Sequence, residues 1–237
     1  MRKNLSLILV LISFIGLLAC KEPQTINGNK TIKPDSNAET STVKKLNYSL
    51  ELQQFIEGTP KDLKLVSGVN LPYQEKDQLR FRLTAEQEGY VYLVNESTEL
   101  MDNEQKIPKY TWVFPPAKAN NYLKATEESK LPSSDLPGLE FNQIKDKEKL
   151  WLIWSERKLM GLEMVKISLA RGDEQEIVKG NEIIDIELAT SLKNMLEKYD
   201  ANKNDKVKLT EDKKNRITNL TTSENIMTVA IELEKTK

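Results

Sequence analysis

Leu46, Tyr48, Leu50 and Leu52 alternate with polar residues, the period of a strand buried on one face. Leu79-Arg80-Phe81-Arg82-Leu83 repeats the alternation, and Gly89-Tyr90-Val91-Tyr92-Leu93-Val94-Asn95 is aromatic and β-branched. In that last strand Tyr90 and Tyr92 share a face, opposite Val91 and Leu93. Tyr110-Thr111-Trp112-Val113-Phe114 stops at Pro115-Pro116, which cannot continue a central strand. Leu150-Trp151-Leu152-Ile153-Trp154 is apolar throughout, as expected of a strand covered on both faces, with Trp151 and Trp154 pointing to opposite sides. Asn225 to Glu234 reads as the last strand. Helical spacing runs through Ile184, Leu188, Leu192, Met195 or Leu196, and Tyr199, with Asn181 as the expected cap. A shorter helix is expected near Leu159 to Leu169. The pattern predicts a mainly β, α+β architecture: an antiparallel β-sandwich-like domain, or a barrel, with one late helix and a second short one.

The pattern before Leu46 is different. Arg2 and Lys3 precede an unbroken apolar stretch, Leu5 to Ala19, in which Ser6 and Ser13 are the only polar residues. Spanning a bilayer takes about 20 residues, so this stretch has the length of a signal-peptide apolar region instead. It ends in Leu17-Leu18-Ala19-Cys20, which resembles the lipobox of bacterial lipoproteins. The resemblance implies that the Cys20 thiol receives a diacylglycerol and that Cys20 becomes the first mature residue. Lys21 is not the acidic residue that tends to retain lipoproteins in the inner membrane, so the resemblance points to the outer membrane. Residues 21 to about 44 are polar and turn-forming with isolated aliphatics, too little apolar surface to offset their ordering entropy. We read three parts: a leader over residues 1–19, the lipidated Cys20 with a flexible tether over 20–45, and one β-rich domain over 46–237. Random-coil scaling gives the tether a reach of about 25–30 Å.

Composition removes whole classes of chemistry. The 237 residues contain no histidine, which excludes Ser-His-Asp and Cys-His catalysis and histidine metal sites. The single cysteine excludes an intrachain disulfide and a CxxC site. Lys+Arg 35 against Asp+Glu 36 leaves a net charge of -1, without the basic footprint of a nucleic-acid-binding protein. No Gly-rich phosphate loop is present, and no cofactor is expected.

A series of short motifs runs through the middle of the chain. Gly89-Tyr90-Val91-Tyr92-Leu93-Val94-Asn95-Glu96 comes first, then Trp112-Val113-Phe114-Pro115, Asn120-Asn121, Leu131-Pro132-Ser133, Leu136-Pro137-Gly138-Leu139-Glu140 and Glu148-Lys149-Leu150-Trp151-Leu152-Ile153-Trp154-Ser155. Their order resembles the bacterial domain-of-unknown-function family numbered 4384, particularly versions appended to Ser/Thr protein kinases, over roughly residues 48 to 235. Ile231-Glu232-Leu233-Glu234 fits the terminal strand of those versions. Two departures stand out: no kinase or caspase-like domain precedes the module, and a longer stretch separates Gly138 from the Trp-rich strand. The resemblance implies no activity and assigns no functional residue.

Three local constellations carry possible chemistry. Asp200, Asn202, Asn204 and Glu211 match the oxygen-donor positions of a calcium loop, with the Lys206 carbonyl at its seventh place. Asp205 replaces the usual glycine, and Lys203, Lys206 and Lys208 dilute the negative charge, so the plain alternative is a polar connector. Ser155-Glu156-Arg157-Lys158 fits S-x-x-K, and Ser223-Glu224-Asn225 offers an S-x-N, but no KTG follows and Ser155 ends a strand. Tyr90, Tyr92, Trp112, Trp151 and Trp154 either build a ligand platform or fill the core. Lys213-Lys214-Asn215-Arg216 reads as a solvated turn.

The function expected from these readings is a membrane-anchored envelope lipoprotein acting as a non-catalytic binding or scaffold module. Its partners would be the membrane, through the lipid, and a protein or cell-wall component. A carboxylate-dependent envelope hydrolase and a calcium-binding lipoprotein using the 200–211 loop are the alternatives. A pocket holding two carboxylates about 5–10 Å apart would favour the hydrolase.

Overall fold

The computed structural model describes residues 42–61, 63–66, 70–100, 106–140, 147–172, 177–204, 206–211 and 216–235. The leader, Cys20 and nearly all of the tether lie outside the described residues. In chain order the strands are β1 (Lys44–Gln53), β2 (Phe55–Ile56), β3 (Thr59–Pro60), β4 (Lys64–Val66), β5 (Asn70–Tyr73), β6 (Gln78–Ala85), β7 (Gly89–Leu100) and β8 (Lys106–Phe114). The short β9 (Tyr122–Leu123), β10 (Glu128–Leu131) and β11 (Leu139–Glu140) lead to β12 (Lys147–Ser155). Helix α1 (Met160–Arg171), the small strands β13 (Val178–Lys179) and β14 (Glu182–Ile183), and helix α2 (Ile186–Tyr199) come next. The chain closes with β15 (Val207–Glu211), β16 (Arg216–Thr222) and β17 (Ile226–Lys235).

Two sheets face each other. The first runs β10-β6-β1-β16-β15, with β11 added to β6 and β4 to β1. The second runs β13-β14-β8-β7-β12-β17-β5, with β9 added to β7. Their pairings are antiparallel except that β5 lies parallel to β17. Alternation decides which side chains meet. Leu46, Tyr48, Leu50 and Leu52 of β1 and Leu79, Phe81 and Leu83 of β6 form one wall of the core. Val91, Leu93, Leu150, Leu152, Trp154, Val229, Ile231 and Leu233 form the other. The mainly β, sandwich-like α+β architecture read from the sequence is therefore the observed one.

The second sheet is buried on its other face as well. Tyr92, Val94, Tyr110, Trp112, Trp151 and Ile153 pack there against Leu162 and Val165 of α1 and Leu192 and Leu196 of α2. This third layer explains why β12 is apolar throughout: Trp154 enters the sandwich core and Trp151 lies under the helices. Tyr92 and Val91 divide in the same way.

Two boundaries differ from the sequence reading. β1 starts at Lys44, two residues before Leu46, because Lys44 and Lys45 pair with Thr222 and Thr221 of β16. Helix α2 is capped by Asp185, whose carboxylate accepts a hydrogen bond from Leu188 N at 2.6 Å, and not by Asn181. Asn181 sits in the turn of the β13–β14 hairpin, and its carbonyl accepts from Trp112 N. Glu182 pairs with Thr111 of β8, so the chain stays extended until Ile183 and cannot turn helical earlier. The second helix does form, at Met160–Arg171, and ends on Gly172 at φ 72°, whose N–H donates to Ser168 O at 3.0 Å.

A register shift between β7 and β8 also decides packing. Leu93 pairs with Phe114 but Val94 pairs with Trp112, so β8 bulges at Val113. Without the bulge Trp112 and Phe114, two apart, would share a face. With it, Phe114 joins the sandwich core and Trp112 the helical layer.

Candidate functional site

The loops that follow β8 and β10 build a groove on the sandwich. β8 ends at Phe114, and the chain turns through a cis Phe114–Pro115 bond. Trp112 Nε1 donates to Pro115 O at 2.6 Å and Ala119 N to Pro116 O at 2.8 Å, which fixes the turn. Asn120 Oδ1 accepts from Tyr122 N at 3.1 Å, an Asx-type turn that delivers Asn121 to the sheet. Asn121 is buried, and its carbonyl accepts from Val91 N at 2.9 Å. β9 then pairs with the start of β7, where Tyr122 packs edge-on against Tyr90 with centroids 5.5 Å apart. Tyr122 donates its hydroxyl to the Glu88 carboxylate, which holds the proton and raises its pKa.

The facing wall comes from residues 129–139. β10 pairs with β6 and ends at a cis Leu131–Pro132 bond. Leu136 N donates to Ser133 O, and Arg80 of β6 clamps the turn by donating Nε to Pro132 O at 3.1 Å and a terminal nitrogen to Leu136 O. Lys130 Nζ reaches the buried Glu51 carboxylate at 3.0 Å. Gly138 lies so close to β6 that a Cβ there would stand 2.9 Å from Gln78 Cβ.

Between these walls is a groove of about 390 Å³, lined by Val113, Phe114, Leu123, Leu131, Leu136 and Leu139 with Pro116 and Pro132. Asn120, Asn121, Tyr122, Ser129, Lys130 and Ser133 supply its polar atoms. No carboxylate, cysteine or histidine is among the lining residues. Ser133 donates its hydroxyl to the exposed Asp135 carboxylate, which lowers the Asp135 pKa, and Lys130 is held by Glu51. The loop motifs from Phe114 to Gly138 are separate in the sequence; the fold brings most of them to this one place.

A second cleft, about 210 Å³, lies between the second sheet and α2. It gathers Glu96, Glu197, Asp200 and Glu232 beside Tyr110 and Trp151, a grouping that no spacing in the sequence reveals. Glu96 accepts from Trp151 Nε1 at 2.7 Å and stands 3.6 Å from Lys149 Nζ. Burial raises the Asp200 pKa above its ordinary value, against the pull of the Asn202 N–H and the nearby Lys203 and Lys149. That sign means the buried charge opposes folding as pH rises from the unfolded value through the raised one.

The 200–211 loop is built as a connector. Asp200 accepts from Asn202 N at 3.0 Å, Asn202 Nδ2 donates to Ala230 O at 3.0 Å, and Asn204 Nδ2 donates to Asp200 O at 2.9 Å. The Lys206 carbonyl, which a calcium loop would aim at the ion, accepts from Thr221 N at 3.2 Å. Glu211 is in β15, opposite Arg216, with its side chain outside the described residues, as is Asp205. Among the described residues no group of three Asp, Glu, Cys or His side chains could hold a metal. Ser155 is buried at the end of β12, where its Oγ accepts from Arg157 N at 3.3 Å. Of the five candidate platform aromatics, Tyr92, Trp112, Trp151 and Trp154 are buried, and Tyr90 is half-exposed beneath the Lys158 ammonium. The four buried ones belong to the core, and Tyr90 packs partly buried against it.

Comparison with protein-family models, curated proteins and solved structures finds no match.

Proposed function

We propose that the protein is an envelope lipoprotein, held on the outer membrane by acylated Cys20, whose β-rich domain is a non-catalytic binding module. The 113–139 groove carries the reading: it is mainly apolar, its loops are held by hydrogen-bonded turns, and no carboxylate, histidine or thiol is among its lining residues. The lining favours a protein segment with apolar side chains over a glycan. Sugar sites combine exposed aromatic faces with carboxylates, and here Tyr122 and the largely buried Phe114 are the lining aromatics and carboxylates are missing. The likeness of the motif order to the domain-of-unknown-function family numbered 4384 supports the same reading, since those modules accompany signalling enzymes.

The carboxylates around Asp200 give the hydrolase reading its one specific place, although Glu96 and Asp200 are both engaged in hydrogen bonds that hold the fold. Two measurements on the full chain test the proposal. Radiolabelled fatty acid should mark the protein in cells, and Cys20→Ala should lose the label completely; label retained by the variant contradicts the anchor. Incubation with peptidoglycan fragments, glycosides and esters should give no turnover. Turnover that disappears in Asp200→Asn with the fold intact would overturn the binding-module reading.

A further inference from the structure

Helix α1 is apolar on two opposite faces. Leu162 and Val165 are buried against the second sheet. Met160, Met164 and Ile167, spaced by four and three residues, form a stripe on the other side and are 70%, 48% and 47% exposed. A helix with one face on the core normally turns polar residues outward. The stripe has neighbours of the same kind. α2 begins beside α1: a Cβ on Gly161 would stand 2.7 Å from Leu188 Cδ1. Ile186, in the first turn of α2, is 81% exposed.

Basic residues border the stripe. Arg157 and Lys158 just before the helix and Arg171 at its end are exposed, whereas Lys166 within it is half-buried and donates to Asn121 Oδ1 at 3.5 Å. Glu163, the only acid in α1, is buried and accepts from the Tyr92 hydroxyl at 2.8 Å. Glu156 is paired with Lys44 at 3.1 Å and Asp185 caps α2, so among the described residues Glu187 is the exposed carboxylate next to Ile186; Asp173, Glu174 and Glu176, which follow α1 in the sequence, lie outside the described residues. The Lys44–Glu156 pair also fixes where the chain enters the domain. Lys44 is the first residue of β1, and its ammonium sits on the turn that leads into α1. The exposed Val43 is one residue further toward the N-terminus. The segment that carries Cys20 therefore joins the domain at the end where the apolar stripe starts.

We propose that the outer face of α1, with Ile186, is a membrane-contact surface that lays the domain against an anionic bilayer. The chemistry is that of an interfacial amphipathic helix: apolar side chains enter the acyl boundary while Lys and Arg reach headgroup phosphates. The proposal rests on the lipid anchor proposed above, which supplies proximity; α1 sets the orientation.

The test uses the full acylated chain in phosphatidylcholine vesicles with and without phosphatidylglycerol, doped with a lipid whose acyl chain carries a photoactivatable diazirine. Adducts mapped by peptide mass spectrometry should fall on Met160, Met164, Ile167 and Ile186, and should increase with the anionic lipid. The double variant Met164→Glu, Ile167→Glu, altered only at exposed positions, should lose the α1 adducts while still sedimenting with the vesicles. A chain that sediments through Cys20 yet shows no α1 adducts overturns the contact surface and leaves the anchor standing. A Cys20→Ala chain that no longer sediments but still gives α1 adducts supports the surface independently. A chain that neither sediments nor gives adducts overturns both.

Discussion

Trp154→Ala is expected to destabilise the domain by about 3–5 kcal/mol, measured as a shift in the urea midpoint at constant slope. Trp154 is 1% exposed and lies between the two sheets, on the central strand β12, with β7 on one side and β17 on the other. Truncation would leave a cavity that neither neighbouring strand can close, because both are fixed by their own ladders. Trp154→Phe should cost less. The indole Nε1 is buried without a protein acceptor, so phenylalanine removes an unpaired donor and only part of the volume. A cost for Trp154→Ala below about 1 kcal/mol would show that the sandwich core does not depend on this side chain.

Gly89→Ala should cost about 3 kcal/mol, at the upper end for overpacking, although it adds a single methyl group. A Cβ at Gly89 would stand 2.6 Å from Trp154 Nε1 and 2.7 Å from Ser155 O. The first contact could relax by moving the indole; the second is with backbone inside the β12 ladder and cannot. Combining Gly89→Ala with Trp154→Phe should therefore recover only part of the loss. A Gly89→Ala protein within about 0.5 kcal/mol of the parent would mean that β7 and β12 are not this close at their ends.

These two residues also show what the sequence made legible. Gly89 opened a strand by composition, and the three-residue spacing of Trp151 and Trp154 on an apolar strand was enough to place them on opposite faces. Long strands and both helices carry their own period, so they could be read without partners. β9, β11, β13 and β14 are two residues each, too short for any period to show. β9, β11 and β14 form against the long strands β7, β6 and β8, and β13 forms as the hairpin partner of β14. The bulge at Val113 has no signature of its own, yet it sends Trp112 and Phe114 to different layers. The start of α2 is hidden from the local pattern for a related reason: the β13–β14 hairpin is a tertiary contact with β8, and it overrides the local capping signal at Asn181. The groove was half legible. Phe114-Pro115, Asn120-Asn121 and Leu131-Pro132-Ser133 were visible as motifs. What joins them is pairing across distant positions, Val91 with Asn121 and Arg80 with the 132–136 turn, which no local pattern reports.

The most direct test of the binding module is site-specific photocrosslinking in intact envelopes. A photoactivatable residue replaces Leu136, which is 47% exposed at the groove, or Leu209, which is 50% exposed on the edge strand β15. The acylated protein should yield one defined protein adduct from position 136 and none of the same mass from position 209. Filling the groove with Ser133→Trp should abolish that adduct. Equal adducts from both positions, or an adduct from position 136 that survives Ser133→Trp, would contradict the groove as the ligand site.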